Sequence, residues 1–396
     1  MPEIREDIYL VAPVRTPIGR FGGALASLTA AELGTRAVAA ALERSGVPRE
    51  AVEGVIYGNA RQAGVGPNVA RQVAIRGGLA HEIPAYTVNQ ACGSGLRAII
   101  NAVDEIRLGN AAVVVAGGVE SMSNTPYLLT GARWGLRMGD GELTDAMVRD
   151  GFLCPLAEDL MGATAETLAD RHAITRDEQD RFAVDSQRKA KAAWDSGAFR
   201  DEVVPVEVRG KKGVTIVDRD DHLRPDATVE GLAKLAPVFR EGGTVHAGNS
   251  SGITDGAAAM IVASAEAVKK YGLRPAVRVR AYAQAAVDPR IMGIGPVPAT
   301  QRLLRDAGIS LGDVDLVELN EAFAAQVIAC ERELELDRER LNVHGGAIAL
   351  GHPIGATGAR IVTTLANAMA VRNARTGLAT LCISGGMGLS LLVEKA

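Results

Sequence analysis

The chain has 396 residues, 45 of them glycine, with only 4% aromatic residues and a formal net charge of −4. That length allows two or three domains around a large core, and the glycine-rich, aromatic-poor balance suits closely packed α/β layers. No polybasic run offers a nucleic-acid surface, and no apolar stretch reaches the ~20 residues that a membrane span needs. The acidic start, residues 1–7, leads straight into a strand and resembles neither a signal peptide nor an Arg-rich transit peptide. Cysteines at positions 92, 154, 330 and 382 show no CxxC pairing. A zinc site and a disulfide framework are therefore not expected, and a reducing cytoplasm is.

In chain order, residues 8–14 read as a strand leading into a glycine-rich loop over 15–23, followed by a helix over 30–44. Gly46 opens a turn, and residues 54–57 form a second strand. From Tyr86 a β-prone run reaches Asn89-Gln-Ala-Cys92-Gly-Ser-Gly95, after which Leu96, Ile99, Ile100, Val103 and Ile106 fall at helical spacing. A strand, a tight turn carrying Cys92 and a helix start are implied. Free N–H groups and the helix dipole at such a turn favour thiolate over thiol, and the glycines let backbone approach whatever the sulfur attacks. An inert cysteine packed at a strand end is the alternative. Residues 111–116 are a buried strand ending in Gly117-Gly118.

The pattern returns. Residues 45–60 align without gaps on 307–322, an offset of 262, with Gly46 on Gly308, Val52 on Val314 and Val55 on Val317. Residues 113–118 find a counterpart in 381–386, and the helix after Cys92 in 356–369. Two halves of one α/β pattern follow, residues 1–118 plus 247–270 and residues 271–396. Equivalent loops of the two halves meet at one face, which lets a cysteine from one half meet a histidine from the other. Between them, 119–246 reads as an insertion with an amphipathic helix around residues 177–182. A charged β-prone section carries Arg209, Lys211, Lys212, Arg219 and Arg224, most of them expected on a solvated face.

Three stretches of the second half could carry chemistry. Residues 316–325 form a hydrophobic strand ending in Asn320-Glu321, the kind of strand end where α/β folds place ligand contacts, although Asn is also a good helix cap. The segment around His352 carries five glycines between Gly345 and Gly358, which leaves the imidazole in an open loop. Cys382-Ile-Ser384-Gly-Gly ends a buried strand. Two cysteines and one histidine at strand-end glycine turns suit acyl transfer: one thiolate accepts the acyl group, the imidazole activates it, and the second thiol moves a proton. Turn amides could hold an oxyanion. The signature of a cysteine protease is absent.

Taken together, Asn89-Gln-Ala-Cys92-Gly-Ser-Gly95, Gly248-Asn-Ser-Ser-Gly252, Asn320-Glu-Ala-Phe323, Gly351-His-Pro-Ile-Gly-Ala-Thr-Gly358 and Cys382-Ile-Ser-Gly-Gly-Met-Gly388 resemble the thiolase family over essentially the whole chain. The resemblance implies a duplicated five-layer α-β-α-β-α fold with an inserted loop domain at 119–246 for coenzyme A binding and oligomer contacts. It also implies a homotetramer or homodimer, coenzyme A thioesters as substrates and no tightly bound cofactor or metal. By the same resemblance Cys92 is the acylated nucleophile, His352 its activating imidazole, and Cys382 the thiol that handles the α-proton. Asn320 holds a water that forms an oxyanion hole with His352, and the amide of Ser384 serves a second hole. Arg224 and Ser251 contact coenzyme A, Met161 and Met292 wall the acyl pocket, and Phe239, Ala247 and Phe323 complete the binding set. Position 384 is Ser where many members have Gly, and position 160 is Leu where short-chain members often have His. The implied activity is acetyl-CoA C-acetyltransferase, with a broader-chain 3-ketoacyl-CoA thiolase as the alternative. Condensing enzymes of fatty-acid synthesis pair their cysteine with two histidines or with His and Asn, and a non-catalytic coenzyme A-binding protein would not need all three of Cys92, His352 and Cys382.

Overall fold

The structure, a computed structural model, describes residues 7–396 other than Lys212; the expectations for residues 1–6 and for Lys212 lie outside the described residues. The first half is built from β1 (Ile8–Arg15), α1 (Ala30–Ser45), β2 (Gly54–Gly58), β3 (Ala85–Val88), α2 (Ser94–Arg107) and β4 (Val113–Ser121). Helices α3 (Met161–Arg171) and α4 (Arg176–Ser196) follow, then β5 (Thr254–Ser264). The second half comprises β6 (Pro275–Ala286), α5 (Pro296–Ala307), β7 (Leu316–Leu319), α6 (Ala324–Leu334), α7 (Ile354–Arg372), β8 (Thr376–Ile383) and β9 (Met387–Lys395). Local chemistry sets these bounds. Thr29 and Glu32 form a reciprocal capping box at the start of α1, and Gly46 closes it at φ 68°.

Among the described residues one sheet holds ten strands, nine of them in the order β7-β8-β9-β6-β1-β5-β4-β2-β3, with the two-residue strand Gly19–Arg20 paired to β5. The β2/β3, β2/β4 and β7/β8 ladders are parallel and the others antiparallel. Alternation along the strands divides the core. Ile8, Leu10, Val114, Ala116, Ala379, Leu381 and Leu391 pack with α2 and α7 into one cluster shared by both halves. On the opposite face, Val55, Val113, Val115 and Ala259 pack under α1, and Val317, Leu319, Leu378 and Leu392 pack under α5 and α6. Outer helices, a half-sheet, the α2/α7 pair, a second half-sheet and outer helices make five layers.

The duplication is visible in geometry. Short helical turns at Arg49–Ala51 and Leu311–Asp313 precede β2 and β7, and Gly308 caps α5 at φ 67° just as Gly46 caps α1. Val55 pairs in parallel with Ala85, and Val317 with Leu341. One part of the sequence alignment needs correction. Gly54 pairs with Val114 and Leu316 with Gly377, so β4 and β8 are equivalent at an offset of 263 rather than 268. Residues 113–118 and 381–386 lie on counterpart strands five residues out of register. Gly117 and Gly118 lie within β4, which continues to Ser121, whereas Gly385 and Gly386 form a turn at φ 85° and 84°.

Residues 119–246 pack back onto the rest of the molecule. Helices α3 and α4 pack against α6 on the outer face of the second half. A buried cluster ties the hairpin region to β1: Arg15 Nε meets Glu202 at 2.6 Å and Arg15 Nη1 meets Asp220 at 2.7 Å. Of the basic residues there, Arg209 and Lys211 are exposed, Arg219 lies 5.0 Å over the Trp194 ring, and Arg224 faces a cavity. No described helix is long and apolar enough to cross a membrane.

Candidate active site

At the end of β3 the chain turns through Asn89-Gln90-Ala91-Cys92. Ser94 Oγ accepts the Gln90 N–H at 2.9 Å and donates to the Ala91 carbonyl at 2.6 Å, which closes the turn. Ala91 is held at φ 46°, a left-handed conformation unusual for a residue with a Cβ and a form of strain typical of functional turns. The flanking glycines serve packing, contrary to the expectation that they admit substrate. A Cβ on Gly93 would meet Ile383 at 2.6 Å, and one on Gly95 would meet the Ala359 N and Gly355 O atoms of α7. Gly95 lets α2 and α7 cross at backbone distance, while Gly93 makes room for Ile383 at the end of β8.

His352 sits two residues before α7, as Cys92 sits two residues before α2. Gly351 precedes it at φ 108°. The imidazole is buried at a cavity wall, not open as the glycine-rich sequence suggested. Thr357 Oγ1 donates to the Pro353 carbonyl at 3.1 Å and lies 2.6 Å from His352 Nδ1. Since the hydroxyl has one proton, it must accept from Nδ1–H, which leaves Nε2 free as a base. Burial, with Arg360 and Arg61 nearby, pulls His352 down to about 3, so it is neutral at ordinary pH.

Cys92 is half-buried, and the other three cysteines are buried. Burial raises the Cys92 thiol above its ordinary value, opposed chiefly by the Ser384 N–H and by the charge of Arg61. The helix start therefore does not yield a resting thiolate, because desolvation outweighs it. Cys382, near the end of β8, is raised further by burial and by neighbouring Cys92. Ser384 needs no left-handed backbone, which falls instead on Gly385 and Gly386.

A cavity of about 990 Å³ joins these groups. Eleven of the twelve residues named from the sequence line it: Cys92, His352, Cys382 and Ser384 in the chemical centre, and Met161, Arg224, Phe239, Ala247, Ser251, Met292 and Phe323 along the rest. Phe239 and Phe323 pack edge to face at 5.9 Å. Asn320 is the exception. It is fully buried at the end of β7, and neither its Oδ1 nor its Nδ2 has a protein partner.

Other groups escaped the sequence reading. Buried Glu120 accepts from Asn59 Nδ2 at 2.7 Å, Ala60 N at 3.1 Å, Arg61 N at 3.0 Å and Gly355 N at 2.8 Å, so it ties the first half to the start of α7. Near the open end, Asp180 meets His246 Nε2 at 2.7 Å and accepts from Asn249 Nδ2 at 3.0 Å, which fixes the loop carrying Ser251. His222 lines the cavity beside Arg224; burial and that neighbour pull it down to about 4.

A thiol, a neutral imidazole with a free nitrogen, a second thiol and a directed amide, all on one cavity of a duplicated α/β fold, define an acyl-transfer site. Comparison with known proteins agrees. The thiolase N-terminal domain matches residues 8–266 and the thiolase C-terminal domain residues 273–395. Acetyl-CoA acetyltransferase of Escherichia coli K12 is 49% identical over 98% of this chain and 99% of its own length. The Pseudomonas aeruginosa protein of that name is 50% identical over 98% of this chain and 100% of its own. The Bacillus anthracis acetyl-CoA acetyltransferase structure superposes with TM-score 0.97 at 44% identity, each chain 99% covered. Human mitochondrial 3-ketoacyl-CoA thiolase in complex with CoA superposes with TM-score 0.96 at 43% identity, covering 100% of this chain and 99% of that one. This chain belongs to the thiolase family.

Proposed function

We propose that the protein is an acetyl-CoA C-acetyltransferase, an acyltransferase that joins two acetyl-CoA molecules into acetoacetyl-CoA and free coenzyme A and runs the reverse thiolysis. The observation that carries this is the convergence of Cys92, His352, Cys382 and the Ser384 amide on one cavity. In the first half-reaction Cys92 Sγ attacks the thioester carbonyl as His352 Nε2 takes its proton. The carbonyl oxygen gains charge against the Cys92 and Ser384 amides, and coenzyme A leaves with the proton returned by His352. In the second, Cys382 gives its own proton to His352 and, as the thiolate, removes the α-proton of a second acetyl-CoA. The enolate oxygen is held by the protonated His352 and by a water that the unpartnered Asn320 amide positions; the carbon attacks acetyl-Cys92, and the Cys92 thiolate so released takes its proton back from His352.

Arg224 and Ser251 are assigned to coenzyme A, with Phe239, Ala247 and Phe323 along its pantetheine arm, and a polyanionic nucleotide suits basic loops on an acidic protein. Met161 and Met292 wall the acyl end. A second reading, a broader-chain 3-ketoacyl-CoA thiolase of fatty-acid metabolism, is supported by Leu160, which lines the cavity without a polar constraint, and by the flexible thioethers beside it. Thiolysis assays along the 3-ketoacyl-CoA series test both. Acetoacetyl-CoA is expected to be cleaved best and 3-ketohexanoyl-CoA to remain a substrate, since a methylene in an apolar pocket discriminates by only about 1–3 kcal/mol. A steady rise of kcat/KM from C4 to C10 overturns the short-chain assignment.

We assign residues 1–118 plus 247–270 and residues 271–396 to the two halves, with 119–246 as the inserted loop domain, a division supported by the placement of β5 between β1 and β4. A cytoplasmic homotetramer or homodimer is the expected working form. Four unpaired cysteines support the compartment, and exposed Tyr127, Trp134 and Met138 in the loop region support assembly. Light scattering on wild type and on Trp134→Ser with Met138→Ser tests the assembly.

A further inference from the structure

Among the described residues that line the cavity, Arg61 is the one buried cation, only 6% exposed, and neither half-reaction above uses it. Its backbone N–H is held by Glu120, within the knot that fixes the start of α7. Its side chain reaches across to the π-helical turn Val148–Phe152, all five residues of which line the cavity. Nη1 donates to the Asp150 carbonyl at 3.2 Å, the guanidinium lies 5.7 Å from the Phe152 ring centre, and a Cβ on Gly151 would run into it. Among the described residues that carbonyl, a neutral group, is its one hydrogen-bond acceptor, and Nε has no partner. The buried Glu120 carboxylate, which Arg61 helps to hold ionised, is one anion within reach of this charge, and a sulfur anion at Cys92 is a second.

We propose that Arg61 is a positioning residue of the reaction: it clamps the Val148–Phe152 turn over the acyl end of the cavity and sets a fixed positive charge against the sulfur of Cys92. Val148 is exposed and none of the five residues is fully buried; besides Arg61, the turn is held by Phe152, which packs on the same cluster of Ala60, Met122, Met147 and Ile354 as Cys92 does. Clamping keeps Phe152 as a wall, which limits chain length. The ionisable groups around Cys92 are Arg61, Glu120, His352 and Cys382; Glu120 opposes a thiolate, His352 and Cys382 are neutral at rest, and Arg61 alone favours it. The inference rests on the acyl-transfer reading of the site.

Three variants separate the two roles. Arg61→Leu removes clamp and charge, Arg61→Lys keeps the charge without the planar fork, and Gly151→Ala displaces the guanidinium from the turn. Two quantities are read: the kcat/KM ratio of 3-ketooctanoyl-CoA to acetoacetyl-CoA, and the pH midpoint of Cys92 alkylation by iodoacetamide, followed by peptide mapping. Arg61→Leu is expected to raise the ratio about tenfold and the midpoint by about one pH unit. Arg61→Lys and Gly151→Ala are expected to raise the ratio while holding the midpoint near wild type. A wild-type ratio or a wild-type midpoint in Arg61→Leu overturns the proposal. Should that variant fail to fold, a wild-type ratio in both Arg61→Lys and Gly151→Ala does so. Absence of thiolysis in the wild type would overturn the acyl-transfer reading instead, and the alkylation midpoint would still report the charge at Arg61.

Discussion

The turn before α2 and the turn before α7 occupy equivalent places in the two halves. Each follows the duplicated pattern into a helix, each puts its reactive residue two positions before the first helical residue, and each bends through a left-handed residue immediately before that. In the first half the bend is Ala91 and the product is a half-buried thiol. In the second it is Gly351 and the product is a buried, neutral imidazole. Duplication therefore supplied two equivalent positions before paired helices, with different bends, φ 46° at Ala91 and 108° at Gly351, and a single residue at each gives one the proposed nucleophile and the other its proposed base. The environment completes the division: the Ser384 N–H meets the sulfur, the charge of Arg61 favours its anion, and Thr357 fixes the ring.

The largest effects come from erasing what differs between the two halves. Cys92→Ser should lower condensation and thiolysis by about three orders of magnitude or more, because a residue acting as part of a catalytic unit takes the unit with it. Cys382→Ser should lose turnover as severely yet still form acetyl-enzyme from labelled acetyl-CoA. Turnover close to wild type in Cys382→Ser would reduce that cysteine to a packing residue.

Gly351→Ala comes next. A Cβ there meets Ile18 Cγ2 at 2.9 Å and also runs into Thr254, at a φ of 108° that residues other than glycine rarely adopt. A stability loss of about 2–3 kcal/mol is expected in denaturant unfolding, with activity falling as His352 shifts. An unchanged midpoint would mean that the two turns are less constrained than their geometry states.

A more selective cut is Thr357→Val, which leaves the fold in place and removes the acceptor for His352 Nδ1–H. Loss of one hydrogen bond that fixes tautomer and orientation is expected to lower kcat about tenfold with KM little changed; Thr357→Ser should restore most of it. Alkylation reports the same asymmetry from the other side. Because burial raises the Cys92 thiol, its rate with iodoacetamide should climb about tenfold per pH unit below that raised value. Cys92 should still label before the other three buried cysteines, and acetyl-CoA should protect it. Peptide maps showing Cys154 or Cys330 modified first, with activity lost in step, would remove Cys92 from its role.

Local signals carried much of this organisation. Helical spacing after Cys92, the matching runs before β2 and β7, and glycine turns around Cys92, His352 and Cys382 are all short-range features, so they are legible in the chain. The groups that tune those residues are not. Glu120 reaches Gly355 across 235 positions, and Asp180 reaches His246 across 66; nothing near either carboxylate in sequence marks the partner. Thr357 was part of a quoted motif, yet its role depends on where the first turn of α7 points. The five-residue slip between β4 and β8 has a similar origin, because two Gly-Gly pairs matched in sequence although one lies in a strand and the other in a turn. The resting state of Cys92 is not legible in sequence, because the helix start is local and visible whereas the desolvation that outweighs it comes from the folded surroundings.

The smallest predicted effect bears most directly on the likeness of the two turns. Ala91 occupies a left-handed conformation that costs an L-residue roughly 1–2 kcal/mol, and its counterpart Gly351 is free of that cost. Ala91→Gly makes the first turn resemble the second. The relief is partly offset by the greater freedom of glycine in the unfolded chain, about 0.4–1 kcal/mol, so a net gain of about 0.5–1 kcal/mol is expected, readable as a small upward shift in the denaturation midpoint. The accompanying kinetics decide whether the strain serves the reaction. If Ala91 only tolerates the bend, kcat for thiolysis should stay within about twofold of wild type. If its Cβ helps to hold the sulfur at the Ser384 amide, stability should rise while kcat falls, and the pH midpoint of Cys92 alkylation should rise with it, since a sulfur held less firmly by that N–H keeps its proton more strongly. A variant less stable than wild type would show that the left-handed turn at Ala91 is not strained at all.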